Sequence, residues 1–261
     1  MLYLIIHCTW FVRGLYVVCI KHTQIHTIEN MRVSLLNLHL YLPKDVRKII
    51  YAKLEENDIR LILNAHGSKK EPIPTLILSY HCARNGYLKL MKWVVARGCK
   101  WNVETCTCAA ENGRLELLIW LHANNCPSSK MDVRYAAKNG HLEVMIWLHE
   151  NVCRWDERTY AYAAKGGQLE ILKYLRANMC PQDAKACALA AKNGNLEVLI
   201  WLRANGCPWD EDACANAVKN GHLEVLKWLR AYGCPFDLLK CKKYANENER
   251  HNVIDWLNTF L

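Results

Sequence analysis

Apolar residues alternate between two patterns over most of the chain. In residues 183–193, DAKACALAAKN, alanine fills most of the apolar positions. Residues 195–205, NLEVLIWLRAN, carry larger apolar side chains at helical spacing: Leu196, Val198, Leu199, Trp201 and Leu202. Gly194 lies between the two stretches, where a left-handed residue ends a helix, and Gly206 follows the second. The pattern predicts two short helices joined by a tight turn.

This pair of helices recurs at intervals of 27 residues. The turn glycine is found at Gly86, Gly113, Gly140, Gly167, Gly194 and Gly221. An aromatic residue keeps the same interval at Trp93, Trp120, Trp147, Tyr174, Trp201 and Trp228. A cysteine does so at Cys99, Cys126, Cys153, Cys180, Cys207 and Cys234. A fixed register without insertions indicates a tandem-repeat protein, in which each unit is stable only when stacked on its neighbours.

Polar residues mark the boundaries of the units. Helix-capping residues precede the first helix of most units: Asn102, Asp156, Asp183, Asp210 and Asp237. In the last unit, 244–261, Glu249 and His251 replace the usual glycine and leucine. A more polar final unit is typical of a cap whose outer surface meets water.

The repeat resembles the ankyrin repeat. Residues 217–229, AVKNGHLEVLKWL, followed by 233–237, GCPFD, match the pattern of that family, and the resemblance covers about 74–261. The unit of 27 residues is shorter than the ~33 residues of the family, and the missing part corresponds to its β-hairpin finger. We therefore expect an all-α, ankyrin-like helix-turn-helix solenoid with short loops. Units with tryptophan and a Cys-Pro-Trp-Asp turn look like those of large DNA viruses of amoebae.

The amino-terminal part of the chain has a different composition. We divide the chain into an uncertain hydrophobic extension (1–30), a small helical region (31–73) and about seven repeats (74–261), the last a degenerate cap. Residues 2–20 are long enough to span a membrane as a signal anchor, but Arg13 lies at their centre, where insertion costs roughly 2.5–3.5 kcal/mol. Alternatively, the native chain begins at Met31.

The stretch 42–61, LPKDVRKIIYAKLEENDIRL, is similar to the start of an F-box, the helical module that docks the adaptor subunit of cullin-type ubiquitin ligases. The resemblance implies that the adaptor-docking residues are Leu42, Pro43, Val46, Ile49 and Ile50. An amphipathic helix that caps the first repeat explains the same spacing.

Composition and charge exclude several classes of function. The formal net charge of +9 is spread along the chain without a basic run, so we expect no binding to nucleic acid. Most of the fourteen cysteines lie in the repeats, and six of them recur at the 27-residue interval, which indicates reduced thiols and a cytoplasmic protein. Cysteines of successive units should lie roughly 8–10 Å apart, too far for a disulfide. We therefore expect them to pack in the core and to bind no metal.

The other residues with reactive side chains also recur with the repeat. His122 and His149 share one position with arginines, and His141 and His222 share another with Asn195 and Gln168, which suggests interchangeable surface residues. Glutamates begin the second helices, where they complement the helix dipole: Glu116, Glu143, Glu170, Glu197 and Glu224. We expect no catalytic site and no cofactor.

The resemblance to ankyrin repeats implies that variable positions of the first helices line a concave, partner-binding face. The candidates are His81, Arg134, Tyr135, Tyr162, Leu189, Asn216 and Tyr244. Tyrosine and arginine are enriched at interface hot spots, so Arg134, Tyr135 and Tyr162 form the best patch. Alternatively, these aromatic side chains pack only against neighbouring first helices. The sequence predicts a monomeric, non-catalytic protein-binding module, either an adaptor for a ubiquitin ligase or a membrane-anchored scaffold.

Overall fold

Helices and short turns make up residues 75–96 and 98–260, the part of the chain that the computed structural model describes. The helices of this part are α1 (Thr75–Asn85), α2 (Leu88–Val95), α3 (Val103–Glu111), α4 (Leu115–Ala123), α5 (Lys130–Lys138), α6 (Leu142–Asn151), α7 (Glu157–Gly166), α8 (Leu169–Ala177), α9 (Ala184–Lys192), α10 (Leu196–Ala204), α11 (Glu211–Asn220), α12 (Leu223–Ala231), α13 (Leu238–Glu247) and α14 (His251–Asn258). The chain divides into two units, Met1–Leu78 and Ser79–Leu261. The predicted segments 2–20 and 42–61 lie outside the described residues.

The second unit is a stack of helix pairs. The odd-numbered helices are the first helices of the pairs, and from α3 to α13 each contacts the next one along the stack. Their facing surfaces consist largely of buried alanines, such as Ala136, Ala163 and Ala190. Because alanine is small, neighbouring first helices approach closely. The predicted all-α, helix-turn-helix solenoid with short loops is confirmed for the described residues.

Side-chain caps start the first helices as the sequence predicts. Asn102 and Asp156 form capping boxes with Thr105 and Thr159. Asp183, Asp210 and Asp237 also accept a bond from a backbone N–H of the following helix. Ser129 caps α5 in the one described unit that has no Asp or Asn there. Each cap fixes the residue at which a first helix begins, and therefore where the next helix pair starts.

The second helices bury only part of the predicted apolar stripe. Val198, Leu199 and Leu202 are fully buried between α10 and its neighbours. Trp201 is only half-buried, as are Trp120, Trp147 and Trp228 in the same position. The predicted stripe is therefore fully buried at these aliphatic residues and only partly buried at its tryptophan.

The turn glycine has two roles. Gly194 has φ +76°, which confirms the predicted left-handed helix end. A Cβ at Gly194 would also collide with the imidazole of His222 in the next unit. At the second turn of the units the left-handed residue varies: Gly98, Gly206 and Gly233 fill it in three units, whereas Asn125 and Met179 adopt positive φ in two others.

The final pair, α13 and α14, has the same two-helix arrangement, but α14 begins one residue later than the 27-residue interval predicts. Glu249 adopts φ +55° at the place of the turn glycine. Lys240 of α13 forms an ion pair with Glu211 of α11, with 2.7 Å between Nζ and Oε1. No helix within the described ranges combines the length and apolar character needed to cross a bilayer.

Candidate functional site

Two tyrosines meet on the surface of adjacent first helices. Tyr135 of α5 and Tyr162 of α7 pack edge to face, with ring centroids 5.9 Å apart. Both are half-buried. Lys138 and Lys165 each hold their ammonium group 5.7 Å from the centroid of one of these rings. The rings therefore pack against their neighbours and also present a partly exposed, amphipathic surface.

Arg134 belongs to the scaffold. Its side chain is buried, and its Nη2 donates to Oδ2 of Asp156, the cap of α7, at 2.6 Å. Burial would raise the pKa of Asp156, but the hydrogen bonds from Arg134 and the Thr159 backbone outweigh this effect and lower the pKa. The guanidinium is committed to this ion pair, so we leave Arg134 out of the proposed surface.

The remaining candidates are distributed along the stack. His81 is buried in α1, where its ring lies beside Tyr87. Asn216 donates from Nδ2 to the Ala188 carbonyl of the preceding unit at 3.2 Å. Leu189 is half-buried, and Tyr244 lies beneath Lys219, whose Nζ is 3.9 Å from the ring centroid. Of the predicted residues, the structure brings Tyr135 and Tyr162 together, with Arg134 buried beside them.

A column of lysines, one in each of four successive units, lies at the ends of the first helices, and Glu111 occupies the same position in the preceding unit. The column consists of Lys138, Lys165, Lys192 and Lys219, which occupy the last turns of α5, α7, α9 and α11. We refer to these four residues as the lysine column. The lysine column was not predicted, because the net charge of the whole chain does not show which charges share a repeat position. The four lysines are 27 residues apart, the same interval that separates the turn glycines.

A second column links most units to the preceding one, whereas Gln168 at this position donates from Nε2 to the Gly166 carbonyl of its own unit. Side-chain nitrogens at the start of the second helices contact main-chain carbonyls 30 or 31 residues earlier: Arg114, His141, Asn195, His222 and Arg250. His141 Nε2, for example, lies 3.1 Å from the Glu111 carbonyl. The interpretation of this position as interchangeable surface decoration was wrong. Different residue types fill it because each supplies an N–H donor for a helix-end carbonyl.

The other histidine position also has a structural role. His149 stacks on Trp155 with centroids 3.4 Å apart, and Arg203 covers Trp209 at 3.8 Å in the equivalent place. Trp155 in turn packs edge to face on Tyr174, 6.0 Å away. An open hollow of about 560 Å³ adjoins His149, Trp155 and Tyr174. These contacts tie the turn between units to the second helix.

The repeat cysteines pack in the core, as predicted, apart from the half-buried Cys153. Cys180 donates to the Asp156 carbonyl at 3.4 Å, and Cys234 makes the same bond to Asp210. The neighbouring Cys126 thiol, at the end of the same unit, and burial together raise the pKa of Cys106. Over the described ranges, no three His, Cys, Asp or Glu side chains converge to hold a metal ion.

The sequence matches no model of a known protein family and no curated protein. Among solved structures, the chain is similar to the crystal structure of the human ASB11 ankyrin repeat domain. The TM-score is 0.46 at 17% sequence identity, over 62% of this chain and 85% of that chain. The function of this chain is therefore argued from its own surface residues.

Proposed function

We propose that this protein is a non-catalytic, monomeric module that binds a protein partner through its first helices. The observation that carries the proposal is the edge-to-face pair of Tyr135 and Tyr162 on adjacent units, 5.9 Å apart and half-buried. A tyrosine offers a large contact area and a hydroxyl at little cost in conformational entropy. Because each ring fixes the other, the pair is ordered before a partner arrives.

The experiment that tests this proposal is site-specific photocrosslinking with the full chain. A photoreactive phenylalanine analogue replaces Tyr135 or Tyr162 in separate variants, and a third variant carries it at Tyr232. Tyr232 is 66% exposed and lies at the end of α12, away from the first helices. We expect a discrete protein adduct from positions 135 and 162 and none from 232. Adducts from Tyr232 alone would overturn the proposal.

We further propose that the module delivers its partner to a cullin-type ubiquitin ligase in the cytoplasm, of the host if the chain is viral. The support is the Leu42-Pro43 pair and the helical spacing of Val46, Ile49 and Ile50. We expect the ligase adaptor subunit to co-purify with the full chain. Leu42→Asp with Ile49→Asp should abolish its recovery, whereas the crosslinks at Tyr135 and Tyr162 should persist. Unchanged recovery of the adaptor would end the delivery proposal.

The alternative proposal is a scaffold held at a membrane by residues 2–20. Its support is the length and apolar composition of that stretch. Retention of the full chain in the membrane pellet after carbonate extraction favours this alternative. A native chain that begins at Met31 eliminates it, because such a chain lacks the stretch.

A further inference from the structure

The lysine column places four positive charges side by side. Lys138, Lys165, Lys192 and Lys219 are on the last turns of first helices that contact one another in sequence. The pKa of Lys165 is lowered by burial and by the charges of Lys138 and Lys192, which flank it. Lys138, Lys165 and Lys192 therefore repel one another, and Lys219 occupies the next position along the stack.

Some lysines of the described ranges are paired with a carboxylate and others are not. Lys173, Lys185, Lys227 and Lys240 all form ion pairs with a carboxylate. Among the described residues, no carboxylate lies within ion-pair distance of any member of the lysine column. The helix dipole accounts for one lysine at each carboxyl terminus, but it leaves the repulsion between neighbouring lysines uncompensated.

The spacing of the lysines limits which ligands can contact all four of them. Stacked helices lie roughly 8–10 Å apart, which is about three residues of an extended strand at ~3.3 Å each. Glu143, Glu170, Glu197 and Glu224 are exposed at the start of the second helices, five residues after the lysines in the sequence. One lysine per stacked helix therefore matches about one carboxylate in three residues of an extended chain.

We propose that the lysine column binds an extended acidic segment of the partner protein, with a carboxylate at about every third residue. Tyr135 and Tyr162 contact the apolar or aromatic residues between those carboxylates. This inference rests on the proposed function, because it names the chemistry of the partner at that same surface.

A nucleic-acid strand fits this surface less well. It carries a phosphate every ~3.4 Å along the duplex axis, so one lysine per stacked unit would leave most phosphates without a contact. The exposed glutamates that follow each lysine by five residues also disfavour a broad polyanion. Single-stranded DNA is therefore the competing ligand in the test.

The test measures binding of a fluorescein-labelled peptide to the full chain by fluorescence anisotropy. The peptide repeats Glu-Ala-Ser over about twelve residues, long enough to span the column in an extended conformation. We expect Lys165→Gln with Lys192→Gln to weaken binding at least ~10-fold, the loss of two direct charge contacts. The control is Lys173→Gln with Lys227→Gln, which removes the same net charge from ion-paired lysines on α8 and α12. It should weaken binding less than ~2-fold, as expected of exposed pairs.

A charge swap keeps the test independent of folding defects. Lys165→Glu with Lys192→Glu should lose the acidic peptide and gain binding to a matched Lys-Ala-Ser peptide. Equal losses in the column variant and the control variant would overturn the inference, as would an absence of binding by the wild type. Tighter, column-dependent binding of oligothymidylate would also overturn it. If the peptide fails while the crosslinks at Tyr135 and Tyr162 form, the inference falls and the proposed function stands.

Discussion

Arg134 of α5 donates to Asp156, the cap of α7, across the boundary between two units, with 2.6 Å between Nη2 and Oδ2. The arginine side chain is 10% exposed and the aspartate 22%. The same carboxylate also accepts from the Thr159 backbone N–H. One unit therefore fixes the point at which the first helix of the next unit begins.

We expect Asp156→Asn to lower the free energy of unfolding by about 2 kcal/mol. This is less than the ~3–5 kcal/mol lost when a fully buried pair is broken, because Asp156 is partly exposed. Asparagine still caps the helix, so the loss reports the charge pair. The control, Lys173→Gln, breaks an exposed pair and should change stability by less than about 0.5 kcal/mol. Urea unfolding at neutral pH measures both, and equal losses would contradict the prediction.

The same ion pair predicts a pH dependence. The pKa of Asp156 is lower in the folded protein than in the unfolded chain. Its stabilising contribution is therefore present above the unfolded value of about 3.9 and is lost as the pH falls through the folded pKa. Thermal unfolding at a series of pH values should show a steeper acid loss in the wild type than in Asp156→Asn. Parallel curves would show that the carboxylate has no such role.

Gly166→Ala should destabilise the stack, although the residue lies in helix α7, where alanine is normally favoured by about 0.5–1 kcal/mol. A Cβ at this position would overlap the Lys138 carbonyl of the preceding unit, and a backbone atom cannot move aside without shifting α5. We expect a loss of about 1–3 kcal/mol, the usual effect of overpacking. An increase in the urea midpoint would show that α5 and α7 can separate freely.

Met179→Gly should stabilise the protein by about 1 kcal/mol. Met179 has φ +55°, which is unfavourable for a side chain with a Cβ, and its side chain is 89% exposed and makes little packing contact. Asn125→Gly is the matched variant, because Asn125 has φ +60° but asparagine tolerates this conformation. Its stability should change by only a few tenths of a kcal/mol. Differential scanning calorimetry ranks the two, and the reverse order would refute the strain argument.

His141→Leu should lower the free energy of unfolding by about 1 kcal/mol, because it removes the bond to the Glu111 carbonyl. His141→Asn should retain most of the stability, since Asn195 makes the equivalent bond in another unit. Chemical denaturation of both variants measures the difference. If leucine and asparagine behave alike, the bond between units contributes nothing.

The core thiols should react slowly with an aromatic disulfide reagent at pH 8. Burial raises the pKa of Cys99 and Cys241 to about 11 and that of Cys180 to about 12. Because only the thiolate reacts, labelling should require local opening of the stack. Among the described thiols, the half-buried Cys153 should react first, as located by peptide mass spectrometry. Rapid labelling of Cys180 in the folded protein would contradict this prediction.

The sequence predicts well what depends on local chemistry. Gly194 and Asp210 are identified because a left-handed helix end and a helix cap each require few residue types. The partial exposure of Trp201 was not predicted, because helical periodicity gives the direction of a side chain and not how deeply it is buried. The position shared by His141, Asn195 and Arg250 was misread because these residue types differ in sequence. Each places a side-chain nitrogen within hydrogen-bond distance of a carbonyl of the preceding unit. This similarity is apparent only when the position of that carbonyl is known.

The bonds from His141, Asn195, His222 and Arg250 all end on main-chain oxygen. Every unit has such an oxygen regardless of its side chains. An ancestral gene could therefore lengthen by copying one unit, and the new copy would dock without compensating mutations in its neighbours. The number of units can change in evolution while the surface residues of each copy diverge.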